Sequence, residues 1–474
     1  MRRWNPTLLA LALAASVAGC PTDLAGVGAI EDLRIDDNPH STISCWVRWT
    51  SAEPTLGRVE FGADGTRTHF REEQGATTDH EVLVVGMRPD TRYSLRAVEL
   101  DPDTGEELAG AETSYDTGAP PFADLITELT EYDPARLQPG WTLTNITVDT
   151  VFSPSYAVAL DEEAQVVWYW GFGLDEGRID IEITALDDRV LIGAGVPSGR
   201  RPLEVGWDGS VLWEGPEQVE LTEFLTPGEM HHRFDKLSDG RYMALSYQVR
   251  EADGPDQGYD RVEVLDADGT ATWTWDSIDH LPTPEDYVWG NAVLLEEEAD
   301  AFYFNSRNFN ALYRLDRESG DILWTFGEGA DFAPDPDAAY PFQTQAHAPE
   351  FQSDGSLLIY DNGGMERGWS RVVEFALDTD AMTSQIVWEY PGDIADDEWF
   401  NFAMGDADRQ PNGNTLITAG ALIESNSRSR IFEVTAEGDR VWEVQFHGAD
   451  DTLAAPYMAD RIPPLAHTLT IPLN

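Results

Sequence analysis

Asp316-Arg317-Glu318-Ser319-Gly320-Asp321-Ile322-Leu323-Trp324 is an acidic, Gly-bearing turn that leads through two β-forming residues into a tryptophan. The same phrase ends at Trp168 (DEEAQVVW), Trp213 (DGSVLW), Trp273 (DADGTATW), Trp388 (DTDAMTSQIVW) and Trp442 (AEGDRVW). Successive tryptophans lie 45, 60, 51, 64 and 54 residues apart. That is the period of propeller blades carrying loop insertions, in which each repeat is one four-stranded sheet. The spacing therefore predicts an all-β chain whose larger part, residues 122–474, is a six-bladed β-propeller. The six tryptophans are expected to be blade filler, repeated because every blade needs the same packing.

A second phrase, a turn followed by an apolar strand, precedes most of the tryptophans: LSDGRYMALSY from Leu237, LLEEEADAFYF from Leu294, QSDGSLLIYDN from Gln352 and QPNGNTLITAG from Gln410. Eight residues before the turns at Gly240, Glu297, Gly355 and Gly413 stand His232, Trp289, His347 and Gly405. Equivalent positions in successive blades face one axis, so His232, Trp289 and His347 are expected to meet at one end of the central channel. His231 is expected to point into its blade, because strand neighbours alternate faces. His40, His69, His80, His280, His447 and His467 have no matching context and are read as surface or packing residues.

Upstream, residues 1–19 give a charged start (Met1-Arg2-Arg3-Trp4) and an apolar run from Leu8 to Ala15 that is too short to span a bilayer and ends in small residues. This is the pattern of a secretory signal. Val17-Ala18-Gly19-Cys20 resembles the bacterial lipobox, which implies an acyl anchor on Cys20 and a cell-envelope lipoprotein. Pro21 after the lipid cysteine favours outer-membrane sorting. Cys45 is then left without a disulfide partner and is read as a small buried thiol. The chain has 30 Lys+Arg against 87 Asp+Glu and a formal charge of -57, which becomes -59 without Arg2 and Arg3. Such a surface repels nucleic acid and anionic lipid headgroups. The carboxylates are read as a solvated face.

Short strands with turn residues at regular spacing over residues 26–118 predict a seven-stranded β-sandwich. The order Trp49, Glu53, Pro54, Gly57, Val59, Glu60, Phe61, Gly62, then Gly86, Pro89, Thr91, Tyr93 resembles a fibronectin type III domain. Gly118-Ala119-Pro120-Pro121 reads as a stiff linker that would hold the propeller at a distance from the membrane.

Gln343-Thr344-Gln345-Ala346-His347-Ala348-Pro349-Glu350-Phe351 with Asp361-Asn362-Gly363, His231-His232, Ser306-Arg307, Gly405 with Pro411-Asn412-Gly413-Asn414, and Tyr457 with Arg461-Ile462 together resemble the bacterial arylsulfotransferase family. The resemblance runs through most of residues 141–465. It implies that His347 attacks the sulfuryl group of an aryl sulfate and passes it to a phenol by ping-pong exchange. Arg307 would grip the sulfuryl oxygens, His232 would hydrogen-bond them or shuttle the phenol proton, and Trp289, Asn291 and Asn362 would line the substrate site. No cofactor and no metal are implied. Where the family carries a further histidine in an H-x-N phrase, this chain has Trp289-Gly290-Asn291. A non-catalytic propeller lipoprotein, serving as receptor or scaffold, is the alternative. Leu315–Trp324 also looks like the repeat of quinoprotein dehydrogenases, but those resemble eight-bladed rings with a quinone and often a Cys pair, which six repeats without such a pair do not match.

Overall fold

The computed structural model describes residues 29–122, 125–149, 155–171, 183–193, 201–216, 227–251, 257–282, 288–297, 300–391, 399–420, 429–448 and 453–473. The expected signal segment and Cys20 lie outside these residues.

Among the described residues, six blades of antiparallel strands form the propeller: blades 2 to 5 are separate four-stranded sheets, and blades 1 and 6 are joined in one nine-stranded sheet. Blade 2 is Ile183–Ala185, Arg189–Ile192, Leu203–Gly206 and Val211–Glu214. Blade 3 is Met230–Lys236, Tyr242–Arg250, Gln257–Leu265 and Ala271–Asp276. Blade 4 is Gly290–Glu296, Ala301–Ser306, Ala311–Asp316 and Ile322–Phe326. Blade 5 is His347–Phe351, Leu357–Asp361, Arg371–Asp378 and Thr383–Tyr390. Blade 6 is Asp406–Arg409, Thr415–Ala419, Ser429–Val434 and Arg440–Gly448. In blades 2 to 6 the first strand is innermost, and the inner strands of blades 3 to 6, 1 and 2 touch in succession around the axis.

Blade 1 closes the ring. Its Trp141–Asp149, Ser155–Leu160 and Val166–Gly171 come early in the chain, and its innermost strand, Leu453–Ile462, comes late. On the other side, Leu125–Tyr132 adds a fifth, outermost strand to blade 6. The ring is thus sewn shut by both ends of the propeller segment, and the edge of a sheet is paired at each seam.

The six repeated tryptophans do more than fill space. Trp168 and Trp442 are buried in the apolar layers between blades. Five of the six indole N–H groups donate to a carbonyl in the last turn of the next blade: Trp168 to Trp207 (2.9 Å), Trp213 to Ala267 (3.1 Å), Trp273 to Arg317 (2.9 Å), Trp388 to Ala436 (2.9 Å) and Trp442 to Glu162 (2.9 Å). Each tryptophan ties one blade to the next. The sixth, Trp324, has no hydrogen-bond partner. It packs on Phe332 instead, where an insertion runs beside the turn of blade 5 through Ala333 and Thr383.

The N-terminal strands pair as two sheets. One holds Glu31–Asp37, the first half of Cys45–Ala63, and Thr77–Val84; the other holds Arg67–Glu72, the second half of Cys45–Ala63, Arg92–Leu100 and Glu107–Asp116. Cys45, Val47, Trp49, Val59, Phe61, Val82, Val84 and Leu95 form the apolar cluster they share. Burial pushes the Cys45 thiol up to about 12, so it stays protonated.

This part and the propeller are in direct contact. The final strand, His467–Leu473, pairs with Arg67–Glu72. Arg88 bonds Asp161 and Glu163 of blade 1 at 2.7 and 2.8 Å, Thr42 bonds Tyr169 at 2.9 Å, and Asn38 bonds the Asp208 carbonyl at 2.9 Å. Pro120-Pro121 therefore joins two packed parts, and the chain crosses between them a second time near Leu465.

Candidate active site

The inner strands lose their register at the same end of the channel. Pairing shifts between Met230 and Phe234 in blade 3, Gly290 and Ala292 in blade 4, His347 and Glu350 in blade 5, and Pro456 and Ala459 in blade 1. At this level His232, Trp289, Ala348 and Met404 have φ of 59°, 52°, 45° and 63°. Left-handed backbone at non-glycine residues is held against a cost of order 1–3 kcal/mol each and clusters where function demands a particular side-chain aim. Bulges re-aim side chains in the same way. Of the three residues expected to converge, His232 and His347 face each other here, with ring centroids 6.1 Å apart.

His347 is buried. Its Nδ1 lies 2.7 Å from Asn362 Oδ1. Asn362 Nδ2 donates to the carbonyls of Asn401 (2.9 Å) and Met404 (2.8 Å), which fixes Oδ1 as the acceptor facing the ring. Nδ1 therefore carries the proton and Nε2 carries the lone pair. Burial first, then the positive charge of Arg307, pulls the imidazole down to about 4, against the pull of the Asn362 bond. At neutral pH the group is an uncharged imidazole with an available nitrogen, the form that acts as a nucleophile.

Arg307 follows the second strand of blade 4, and its backbone N–H donates to the Trp289 carbonyl at 2.9 Å. Its guanidinium meets Asn308 Oδ1 (3.2 Å), Gln345 Oε1 (3.1 Å) and the Phe402 carbonyl (3.4 Å). Among the described residues no carboxylate lies within ion-pair distance of it, in a chain with 87 acidic residues. Burial lowers its pKa, but a guanidinium keeps its charge at neutral pH. It is a cation whose hydrogen-bond partners among the described residues are all neutral oxygens, a group chemically suited to an anion.

His232 stands across from His347, with ring centroids 6.1 Å apart, and beside Tyr457 of blade 1 at 6.4 Å. Tyr457 was legible only as part of a family phrase. Asn291 and Asn362, expected on the substrate, sit behind it. Asn291 Nδ2 donates to the Ala346 carbonyl (2.6 Å) and its Oδ1 accepts from Asn305 (2.7 Å), while Asn305 also reaches the Ala346 carbonyl (2.9 Å). The two amides hold the backbone before His347 and the His347 ring. Asp361 completes this support: it accepts from Thr344 N at 2.8 Å and is paired with Arg367 and Arg371.

Elsewhere on the inner strands lies a group that composition concealed. Glu350 of blade 5, Asp406 and Asp408 of blade 6, Asp460 of blade 1, and Arg233 and Asp235 of blade 3 act on one another electrostatically. Burial pushes Asp406 up to about 6; burial and the Asp406 charge push Asp460 up to about 7, while Arg233 opposes both. These acids are not part of the solvated face. Asp406 and Asp408, two apart on an inner strand, were the available signal, since residues i and i+2 share a side. Among the described residues, no group of three or more His, Cys, Asp or Glu is placed to hold a metal ion.

The Arylsulfotransferase (ASST) family model matches residues 217–455, a little over half of the chain, and those residues include His232, Trp289, Arg307 and His347. The chain belongs to the arylsulfotransferase family. No curated protein matches it. Among solved structures it is similar to a protein of unknown function from Bacteroides caccae (12% identity, 68% of this chain, 98% of that one, TM-score 0.45). It is also similar to a periplasmic gluconolactonase, PpgL, from Pseudomonas aeruginosa (14% identity, 86% and 99%, TM-score 0.37). Likenesses this distant have no bearing on the activity of this arylsulfotransferase-family chain.

Proposed function

We propose that this protein moves a sulfuryl group from an aryl sulfate to a phenol, with His347 as the carrier and without a nucleotide sulfate donor. The observation that carries the reading is the pairing of a buried, neutral His347, its Nε2 lone pair fixed by Asn362, with the cation of Arg307. His347 Nε2 would attack sulfur as the aryl C–O–S linkage breaks at S–O and the aryl oxide leaves. Arg307 would hold the sulfuryl oxygens while charge moves across them. In the second half, the acceptor phenol would lose its proton to His232, its oxygen would attack sulfur, and the N–S bond electrons would return to Nε2.

Trp289 stands where the family has a further histidine. An indole offers one N–H and carries no proton back and forth. It supports a site that leaves acid–base work to His232. Were donor cleavage to fail, the same anion-binding mouth would serve a receptor or scaffold.

The remaining parts complete the proposal. The two N-terminal sheets are a fibronectin type III-like β-sandwich. Their pairing supports this, as does Tyr93, whose hydroxyl accepts from Arg88 N at 2.8 Å in the manner of a tyrosine corner. Cys20 would carry a lipid that anchors the protein to a membrane of the cell envelope, with partners limited to small aryl sulfates and phenols and no nucleic acid. Incubation with 4-nitrophenyl sulfate tests the reading: a burst of one phenolate per protein is expected, and the absence of a burst across a panel of aryl sulfates that bind would leave the receptor reading.

A further inference from the structure

We propose that Asp260 and His231 form a buried relay behind His232 that sets which of its nitrogens serves as the base and stores the acceptor's proton between half-reactions. This deepens the sulfuryl-transfer reading and rests on it. His231 neighbours His232 on the inner strand of blade 3 and is buried, as expected from strand alternation, but its ring is not mere filler. His231 Nε2 lies 3.2 Å from Asp260 Oδ1, and His231 Nδ1 lies 2.8 Å from His232 Nδ1. Asp260 is itself fully buried on the third strand of the blade. Its Oδ2 accepts from Gly290 N of blade 4 at 2.7 Å while Oδ1 faces His231, and its backbone N–H donates to Ser277 Oγ at 3.1 Å.

The proton positions follow from what each atom can do. A carboxylate only accepts, so His231 Nε2 carries a proton toward Asp260. In neutral His231 the Nδ1 is then an acceptor. The proton in the 2.8 Å contact must belong to His232 Nδ1, which leaves the lone pair of His232 on Nε2. The ring planes lie at 87°, which an N–H···N bond accommodates because it fixes the line between the two nitrogens and not the twist about it.

The chemistry balances. When the acceptor phenol gives its proton to His232 Nε2, the Nδ1 proton passes to His231 Nδ1. His231 becomes an imidazolium against the Asp260 carboxylate, and His232 ends neutral with its proton on Nε2. In the next donor cleavage His232 Nε2–H protonates the departing aryl oxide, and His231 returns its Nδ1 proton to His232. One proton taken from the acceptor thus serves the following leaving group.

Asp260→Asn is the decisive variant. The amide can keep an acceptor for Gly290 N but presents N–H to His231. That reverses both tautomers and turns His232 Nε2 from acceptor to donor, the kind of error that disables a buried Asp–His pair elsewhere. Nitrogen-15 NMR of the imidazoles should show His232 protonated on Nδ1 in the wild type and on Nε2 in Asp260→Asn. Transfer from sulfo-His347 to a phenol should fall on the order of 10²-fold more than the 4-nitrophenyl sulfate burst, whose leaving group is stable as its anion. His231→Gln, which cannot carry a proton, should show the same split and covers the case in which Asp260→Asn fails to fold. Equal losses in both half-reactions, or His232 already protonated on Nε2 in the wild type, would overturn the relay. A wild type with the expected tautomers and no sulfuryl transfer would instead sink the enzymatic reading.

Discussion

The outer rim and the inner axis of the propeller are built on the same repeat and use it in opposite ways. On the rim, six blades carry the same residue at the same place, and five of those indoles make the same hydrogen bond to the next blade. On the axis, the equivalent positions carry His232, Trp289, His347 and Gly405, two histidines, a tryptophan and a glycine in one register. Repetition marks what every blade needs to close the ring. Variation at a repeated position marks where one blade has been given chemistry that the others lack. Four residues at the axial mouth, His232, Trp289, Ala348 and Met404, have positive φ, and so do Ala164 and Met382 in outer turns, so backbone strain is not confined to the axis.

If the division is right, axial substitutions should remove activity at little cost in stability, and rim substitutions the reverse. His347→Ala should show the largest effect, reducing turnover of aryl sulfates to background while the folded state persists; a variant that keeps a burst would break the comparison at its centre. Arg307→Ala comes next, with the burst slowed about 10²- to 10³-fold, as loss of one charge-stabilising donor does. Because no ion pair is lost with it, its melting temperature should stay near that of the wild type, and a large drop would make Arg307 a structural residue.

On the rim, Trp442→Phe keeps most of the apolar contact but leaves the Glu162 carbonyl without its donor, which should cost about 1–3 kcal/mol in unfolding free energy without slowing the burst. Trp324→Phe sharpens the point. Its indole has no bond to lose, so chemical denaturation should place it well above Trp442→Phe in stability. Equal losses would mean that packing, not the strap, holds the blades together.

The last expectation concerns pH. Folding depresses His347 from an ordinary 6.5 to about 4. The unfolded chain therefore takes up a proton first, and this group's contribution to stability, complete above about 6.5, is lost as pH falls toward 4. The sum is roughly 3 kcal/mol at about 1.4 kcal/mol per unit. Asp406 and Asp460 are shifted upward and act in the opposite sense, penalising the fold as pH rises from their ordinary 3.8 to about 6 and 7 respectively. The wild-type curve mixes the two, so the quantity to measure is the difference from His347→Gln, which should shrink between pH 6.5 and 4. A constant difference would contradict a buried neutral His347.

The division also explains what could be read from the chain in advance. Six blades were legible because the Asp/Gly–turn–Trp phrase is local and recurs. The meeting of His232 and His347 was legible because it needs only a repeat and a register. The seams were not, since Leu453–Ile462 and Leu125–Tyr132 find partners hundreds of residues away through hydrogen bonds that no local pattern encodes. Nor was the docking of the N-terminal sheets on blade 1, which depends on His467–Leu473 returning to Arg67–Glu72. Asn291 and Asn362 belong to phrases that point to the substrate, yet a buried amide is assigned by what lies around it, and here that is backbone carbonyls, the Asn305 amide and the His347 ring. His231 was placed correctly inside its blade, but its contact with Asp260 spans two strands and is visible only in three dimensions.

The most direct test of the account is the mass of the protein after brief exposure to 4-nitrophenyl sulfate without acceptor. It predicts an added sulfuryl group, mapped by peptide fragmentation to His347 and discharged when a phenol is supplied. A modification on any other residue, or phenolate release with no covalent adduct at all, would contradict it.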